Sequence, residues 1–349
     1  MEQARQGSQD SAGVIVPAMK AIQMSRTGGP EVLQLVDLPM PMPGPLQALV
    51  QAHTIGVNMP EVHVRRGRYS TMPPLPAIPG IEMSGIIAAL GEGVHDFKVG
   101  DRVYVSAREL PHRCGCYAEY IAVDTRALLP LPDAVDLEAA AALSGYQVAW
   151  LMLNDATRGF HYETVLVTAA AGGIGSELVQ LATAAGKRVC ALTSTPEKAA
   201  FARTLGAQTA IVQGEAGWNE QLQAATEGRG ADLILDAVAG ARLPTLFQHA
   251  ASLGLVVQYG YLTGWPDSAA VYDAMRASFG KCPALRLFSM HVYDQDPARR
   301  RLCNVVLLDL FARGVVRPVI RARLPLAQAA QAHELLEGGG VIGRLVLKP

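Results

Sequence analysis

The stretch T-A-A-A-G-G-I-G, Thr168 to Gly175, decides how this chain is read. The apolar run Val165–Val167 precedes it, and S-E-L-V-Q-L-A-T-A-A-G (176–186) follows as an amphipathic pattern closed by a glycine. Buried strand, glycine-rich turn and helix, in that order, predict a dinucleotide-binding crossover. A backbone comes close to a pyrophosphate only where side chains are absent. The helix N-terminus then offers free N–H groups and a partial positive charge. Gly172, Gly173 and Gly175 supply that space.

Two dehydrogenase designs share such letters. The pattern G-x-G-x-x-G is met with Ala170 in the first glycine position, which is tolerable if its φ is negative. The short-chain pattern T-G-x-x-x-G-I-G is met except at Ala169. The short-chain design places its turn near the N-terminus and needs a Tyr-x-x-x-Lys pair. Here the turn starts at residue 168, and no tyrosine has a lysine four residues on. The short-chain reading fails.

Downstream of the turn, strands alternate with helices. Arg188–Thr193 leads to a helix capped by Thr195 with Pro196 at its first position. Strands at 209–212, 233–236, 255–259 and 285–291 follow, with helical text between them. Near-continuous apolar strands separated by helices predict a parallel sheet covered on both faces. Upstream, from Lys20 to about Val123, short strand-like runs are broken by turn signals such as P-M-P-M-P-G-P and M-P-P-L-P-A-I-P-G. That spacing predicts a small β-barrel or sandwich. Near residue 137 the period changes to helical. The end returns to strand, helix and strand (V-I-R-A-R-L, A-Q-A-A-Q-A-H-E-L-L-E, R-L-V-L), so the tail is expected to rejoin the first domain.

Composition narrows the function classes. The 349 residues are 50% hydrophobic with a formal net charge of −1, enough for a sizeable core and two domains. No run of like charge marks a nucleic-acid or membrane-surface footprint. No apolar run reaches the ~18–20 residues of a membrane span, and the polar residues 1–19, expected to be a loose tail, show no basic head followed by an apolar stretch, so no secretory signal is expected. Five cysteines suit a reduced, cytoplasmic enzyme better than a disulfide scaffold. Cys114-Gly-Cys116 lacks a second pair to complete a zinc set.

The cofactor follows from the strand after the turn. An NAD site ordinarily ends that strand with a carboxylate for the ribose hydroxyls. Here Thr193, Ser194 and Thr195 stand there with Lys198 one helical turn on, a set suited to a 2′-phosphate. NADPH is the expected cofactor.

Along nearly its whole length after residue 19 the sequence resembles the zinc-independent medium-chain dehydrogenase/reductases of the quinone oxidoreductase (zeta-crystallin-like) branch. The matching text is G-V-N-M-P-E-V-H-V-R-R-G-R-Y (56–69), I-P-G-I-E-M-S-G-I-I-A-A-L-G-E-G-V-H-D-F-K-V-G-D-R-V (78–103), Y-A-E-Y (117–120), A-A-A-G-G-I-G (169–175) and P-L-A-Q-A-A-Q-A-H-E-L-L-E-G-G-G-V-I-G-R-L-V-L (325–347). The resemblance implies a GroES-like domain over 20–140 and 292–349 and a Rossmann domain over 141–291. It also implies homodimers joined through the Rossmann sheets at the edge strand 285–291. Cofactor contacts would come from Asn58, Trp150, Ala171, Gly172, Gly173 and Ile174, and from Thr193, Ser194, Lys198, Gly260 and Arg344. Three positions depart from family usage. Glu61 replaces the Asp of Asn-x-x-Asp, Val148 replaces a Thr before Ala149 and Trp150, and a tyrosine after the third Rossmann strand is missing. Where zinc-dependent relatives place Cys and a His-Glu pair, this chain has Asn58, Ile81 and Glu82, so no catalytic zinc is expected.

Without a Lewis acid, polarising a simple ketone is difficult. Hydride addition to an electron-poor acceptor, a quinone or the β-carbon of an enone or enal, remains accessible. Tyr69, eleven residues after Asn58, is the expected hydrogen-bond donor to the acceptor oxygen. Asn58 is expected to order the nicotinamide or its loop, and Arg65 to pair with a carboxylate such as Glu61 or to face substrate. The same Asn-to-Tyr spacing occurs in 2-enoyl thioester (CoA or ACP) reductases, the alternative acceptor class. A non-catalytic NADPH-binding role, crystallin-like or RNA-binding, is the alternative of another kind. The acceptor pocket is expected around 69–72, 106–112 and 261–275, with an apolar acceptor.

Overall fold

A computed structural model describes residues 17–110 and 112–349. Residues 1–16 of the expected tail lie outside the described residues, and the first strand, Ala18–Gln23, begins within its last two positions. Six strands form one all-parallel sheet in the order Thr209–Val212, Arg188–Thr193, Thr164–Val167, Ala231–Asp236, Ala250–Gln258, Ala284–Leu287. The strand order runs outward in both directions from Thr164–Val167. The topological switch point, where such sheets bind ligands, therefore lies at the end of that strand. The quoted turn occupies that place.

Seven strands form the other large sheet, centred on the long strand Gln47–Val57. Glu82–Leu90, Tyr120–Asp124 and the C-terminal Arg344–Lys348 all pair antiparallel with it. Ile320–Pro325 then extends the sheet beside Arg344–Lys348. The chain end thus rejoins the first domain, as its apolar strand text predicts. An architecture of GroES-like β domain plus Rossmann sheet results.

The domain boundary expected at 292 falls later. Helix Pro297–Ala312 packs on helix Leu143–Asn154, and Cys303, Leu307, Leu308, Phe311 and Val316 join the core under the parallel sheet. The β domain resumes only at Ile320. The helical text from 137 is broken into Leu137–Ala140 and Leu143–Asn154. The edge strand is shorter than 285–291, ending at Leu287. Among the described residues no helix is long and apolar enough to cross a membrane.

Candidate active site

The turn is built as its sequence requires, with one surprise. Gly172 is the N-cap of helix Gly173–Ala184, and no side chain caps that helix. Its first backbone N–H groups therefore stay available to an anion. Ala170 does not take a positive φ; Ala169 does, at 47°. The left-handed residue of this turn is thus the position that the short-chain pattern fills with glycine. Gly175 is the strict glycine, because a Cβ there would lie 2.2 Å from the Ala169 carbonyl oxygen. Thr168 closes the strand end, donating to Asp236 at 2.7 Å and accepting from the Ala237 N–H at 3.1 Å.

The C-terminal segment stitches the β domain onto the turn. The Gly343 N–H donates to the Ala171 carbonyl at 2.8 Å. Arg344, 5% exposed, lies beneath the start of the glycine helix, its guanidinium 3.7 Å from where a Gly173 Cβ would be. Its Nε donates to Glu177 at 2.5 Å, another nitrogen donates to Asn58 Oδ1, and Glu82 lies 3.7 Å away. Asn58 passes the link on by donating to Glu82 at 3.0 Å, while Tyr104 and the Ser144 N–H fill the other Glu82 oxygen. Burial raises Glu177 to about 7 against the pull of Arg344. Arg344, expected at the cofactor, is thus turned inward. It adds positive charge under the turn and fixes Asn58.

Other expected contacts fall in varied surroundings. Ile174 is half-buried. Gly260 allows no side chain, since a Cβ would meet the Ala237 carbonyl oxygen at 2.6 Å. Ser194 is exposed, and Lys198 donates to its hydroxyl at 3.1 Å and to the Gly339 carbonyl at 2.7 Å. Thr193 is buried with its hydroxyl directed at the Ile211 and Thr195 carbonyls. Trp150 faces helix Pro297–Ala312, where the Arg299 guanidinium sits 5.0 Å over its ring. The sequence places these two residues near the cofactor, but it does not reveal the partners that occupy their polar edge or ring face.

Helix Met59–Arg65 carries the β-domain side of the cleft. Glu61 is 1% exposed, accepts from the Ile81 N–H at 3.3 Å and from Asn58 at 3.4 Å, and leaves one oxygen without a partner. Burial pushes its carboxyl up to about 8. Arg65 pairs elsewhere, its Nη2 donating to Glu337 at 2.7 Å and not to Glu61. Tyr69 is half-buried, with its ring 5.9 Å from that of His291, and burial raises its hydroxyl above the ordinary value. His63 stacks on Tyr261 at 5.4 Å, and Tyr261 on Trp265 at 4.9 Å, so a ladder of rings spans the two domains. Sequence reasoning missed the Arg344–Glu177–Glu82 network and the charges around His291. Partners more than 160 residues apart leave no local signal.

Fold and site together define a two-domain, nucleotide-dependent oxidoreductase of the GroES-like plus Rossmann type. The family model "Alcohol dehydrogenase GroES-like domain" matches residues 44–133, and "Zinc-binding dehydrogenase" matches 173–282. A quinone oxidoreductase of Pseudomonas aeruginosa is 33% identical over 95% of this chain and 99% of its own length. One from Rattus norvegicus is 30% identical over 94% and 97%. Among solved structures, Escherichia coli quinone oxidoreductase complexed with NADPH superposes with a TM-score of 0.82 at 28% identity, covering 95% of this chain and all of that one. The chain belongs to the quinone oxidoreductase family.

Proposed function

We propose that the protein is an NADPH-dependent, zinc-independent reductase that delivers hydride to a quinone or an activated C=C of an enone or enal. The observation that carries this reading is the uncapped glycine turn with Ser194 and Lys198, and no carboxylate, at the end of the next strand. NADPH fits these residues: the open N–H groups suit its pyrophosphate, and Lys198 with Ser194 suits its 2′-phosphate. A catalytic zinc does not fit. Ile81 has no donor atom, and the Asn58 amide and Glu82 carboxylate are spent on each other, Arg344, Tyr104 and the Ser144 N–H.

Bound NADPH supplies a hydride. Asn58, held by Arg344 and Glu82, orders the nicotinamide end of the cleft. Tyr69 donates a hydrogen bond to the acceptor oxygen as negative charge develops there, and its raised pKa keeps it protonated for that task. We further propose a cytoplasmic homodimer built on the exposed edge strand Ala284–Leu287.

Steady-state NADPH oxidation with 9,10-phenanthrenequinone, a 2-alkenal and crotonyl-CoA tests the acceptor class. Turnover of crotonyl-CoA alone would replace this reading with the enoyl thioester one. Tyr69→Phe is expected to lower kcat for the alkenal by about 10²-fold, in the range of a lost oxyanion donor. Unchanged alkenal turnover removes Tyr69 from the mechanism.

A further inference from the structure

Beside Tyr69 the two domains meet through charges that the reading above does not use. Arg108 and Arg113, on the loop after strand Arg102–Ser106, both donate to one carboxylate, Asp294, just past the short turn Met290–Tyr293. Burial works to raise Asp294, yet the bond from Arg113 and the charges of both guanidiniums hold it below its ordinary value. Behind them Arg300 donates to Glu109 at 2.6 Å. The Nδ1 of His291 lies 2.7 Å from Arg113 Nη1. The same nitrogen lies 3.3 Å from Asp294 Oδ2, and the ring's Nε2 lies 3.4 Å from Ser70 Oγ. Three guanidiniums therefore share two carboxylates, and one positive charge is left over at the wall of the cleft.

That charge is accessible. The side chains of Arg108 and Arg113 are 17% and 20% exposed. Among the described residues, Arg108 Nε and Nη2 have no hydrogen-bond partner. Arg108, Arg113 and Asp294 all act electrostatically on the Tyr69 hydroxyl, so the excess charge stands next to the proposed reacting oxygen. A half-buried guanidinium with free N–H groups is a fork for a planar anion, and partial burial spares it much of the screening that weakens exposed charges.

We propose that Arg108 and Arg113 form a subsite for an anionic group, a carboxylate or its equivalent, on the acceptor that Tyr69 serves. The inference rests on the reductase reading for the acceptor's chemistry, and on the ion cluster alone for its charge. Asp294 holds the two arginines in register and limits how strongly they attract the anion. The arginine pair selects an unsaturated acid or acidic quinone over a neutral acceptor of the same shape.

Two measurements on the full chain test this. One compares kcat/KM for 1,2-naphthoquinone-4-sulfonate and 1,2-naphthoquinone with NADPH. The change in this ratio between wild type and variant reports the subsite, because the quinones differ in intrinsic reactivity. The other compares calorimetric Kd values for 2-naphthoate and 2-naphthamide, which need no turnover. Arg108→Ala is expected to reduce both anion-to-neutral ratios about tenfold, the loss of a charge-assisted hydrogen bond. Asp294→Asn, which leaves the arginines uncompensated, is expected to raise both. Ratios that do not respond to either variant overturn the proposal and leave the ion pairs as a domain clasp. Naphthoate preference without turnover of either quinone would sink the reductase reading and keep the subsite. Turnover of both quinones with no naphthoate preference would do the reverse.

Discussion

Two alanine substitutions three residues apart should fail for different reasons. At Gly175 a Cβ would lie 2.2 Å from the Ala169 carbonyl oxygen and 2.9 Å from both the Ala169 carbonyl carbon and Ala170 Cα. All three are backbone atoms, so no rotamer can give way. Restoring an ordinary contact requires the helix to move by about 1.2 Å from the strand end. The helix start cannot absorb this freely, since Ser176 holds it to Gly172 and Gly173. Overpacking of this kind costs about 2–3 kcal/mol. For a chain this long that corresponds to an apparent Tm about 4 °C lower. At Gly172 the nearest atom to a Cβ is 3.4 Å away, and φ is −77°. Gly172→Ala should therefore leave Tm within about 1 °C, below what overpacking would cost. Its methyl group would stand where the pyrophosphate approaches, and the KM for NADPH should rise at least about tenfold. Thermal unfolding of both variants, beside NADPH titrations followed by nicotinamide fluorescence, separates the two effects. A stable Gly175→Ala with unaltered NADPH affinity would refute the reasoning, as would a Gly172→Ala that loses stability instead of affinity.

Glu337→Gln should be strongly destabilising. Arg65 is fully buried, Glu337 is its one carboxylate partner among the described residues, and an uncompensated buried charge costs about 3–5 kcal/mol. Arg65→Met should cost less in the same urea titration. Glu61 has a folded-state pKa raised to about 8, so between its unfolded value of 4.5 and about 8 the native state binds the extra proton. Stability from this group is full below pH 4.5 and falls as pH rises through that window. Glu61→Gln should consequently raise Tm at pH 8 more than at pH 5, and an equal effect at both would refute a neutral Glu61. Lys198→Glu should lower the NADPH-to-NADH ratio of kcat/KM at least about tenfold, through lost attraction and added repulsion of the 2′-phosphate. An unchanged ratio would place the phosphate elsewhere.

Much of the architecture was legible because local signals carried it. Thr195 and Pro196 open a helix where the capping rule puts them, with the Lys198 N–H donating to the Thr195 hydroxyl. The apolar strands around residues 164–167, 188–193 and 231–236 read as buried, and they are. The glycine turn also gave its place in the sheet, since a strand–turn–helix unit at the start of a βα series marks the switch point. Helix Pro297–Ala312 was assigned to the wrong domain. Its text carries no mark of which of two adjacent cores it fills, and that choice depends on contacts with residues 143–154.

The sequence by itself determined a dinucleotide turn, a preceding β domain and the residues standing where metal ligands would. The first two are properties of spacing and side-chain type, and the third is what the family resemblance implies. Tertiary structure alone decided which of those residues are free to act. Ala169 rather than Ala170 takes the left-handed bend, because helix and strand must close to within a carbonyl's reach of Gly175. Arg344 turns beneath the turn because two buried carboxylates, Glu82 and Glu177, need its charge there. The excess positive charge beside Tyr69 arises only when a loop near residue 110 meets a turn near residue 292. Charge balance over such separations is a property of the folded surface, and no local pattern encodes it.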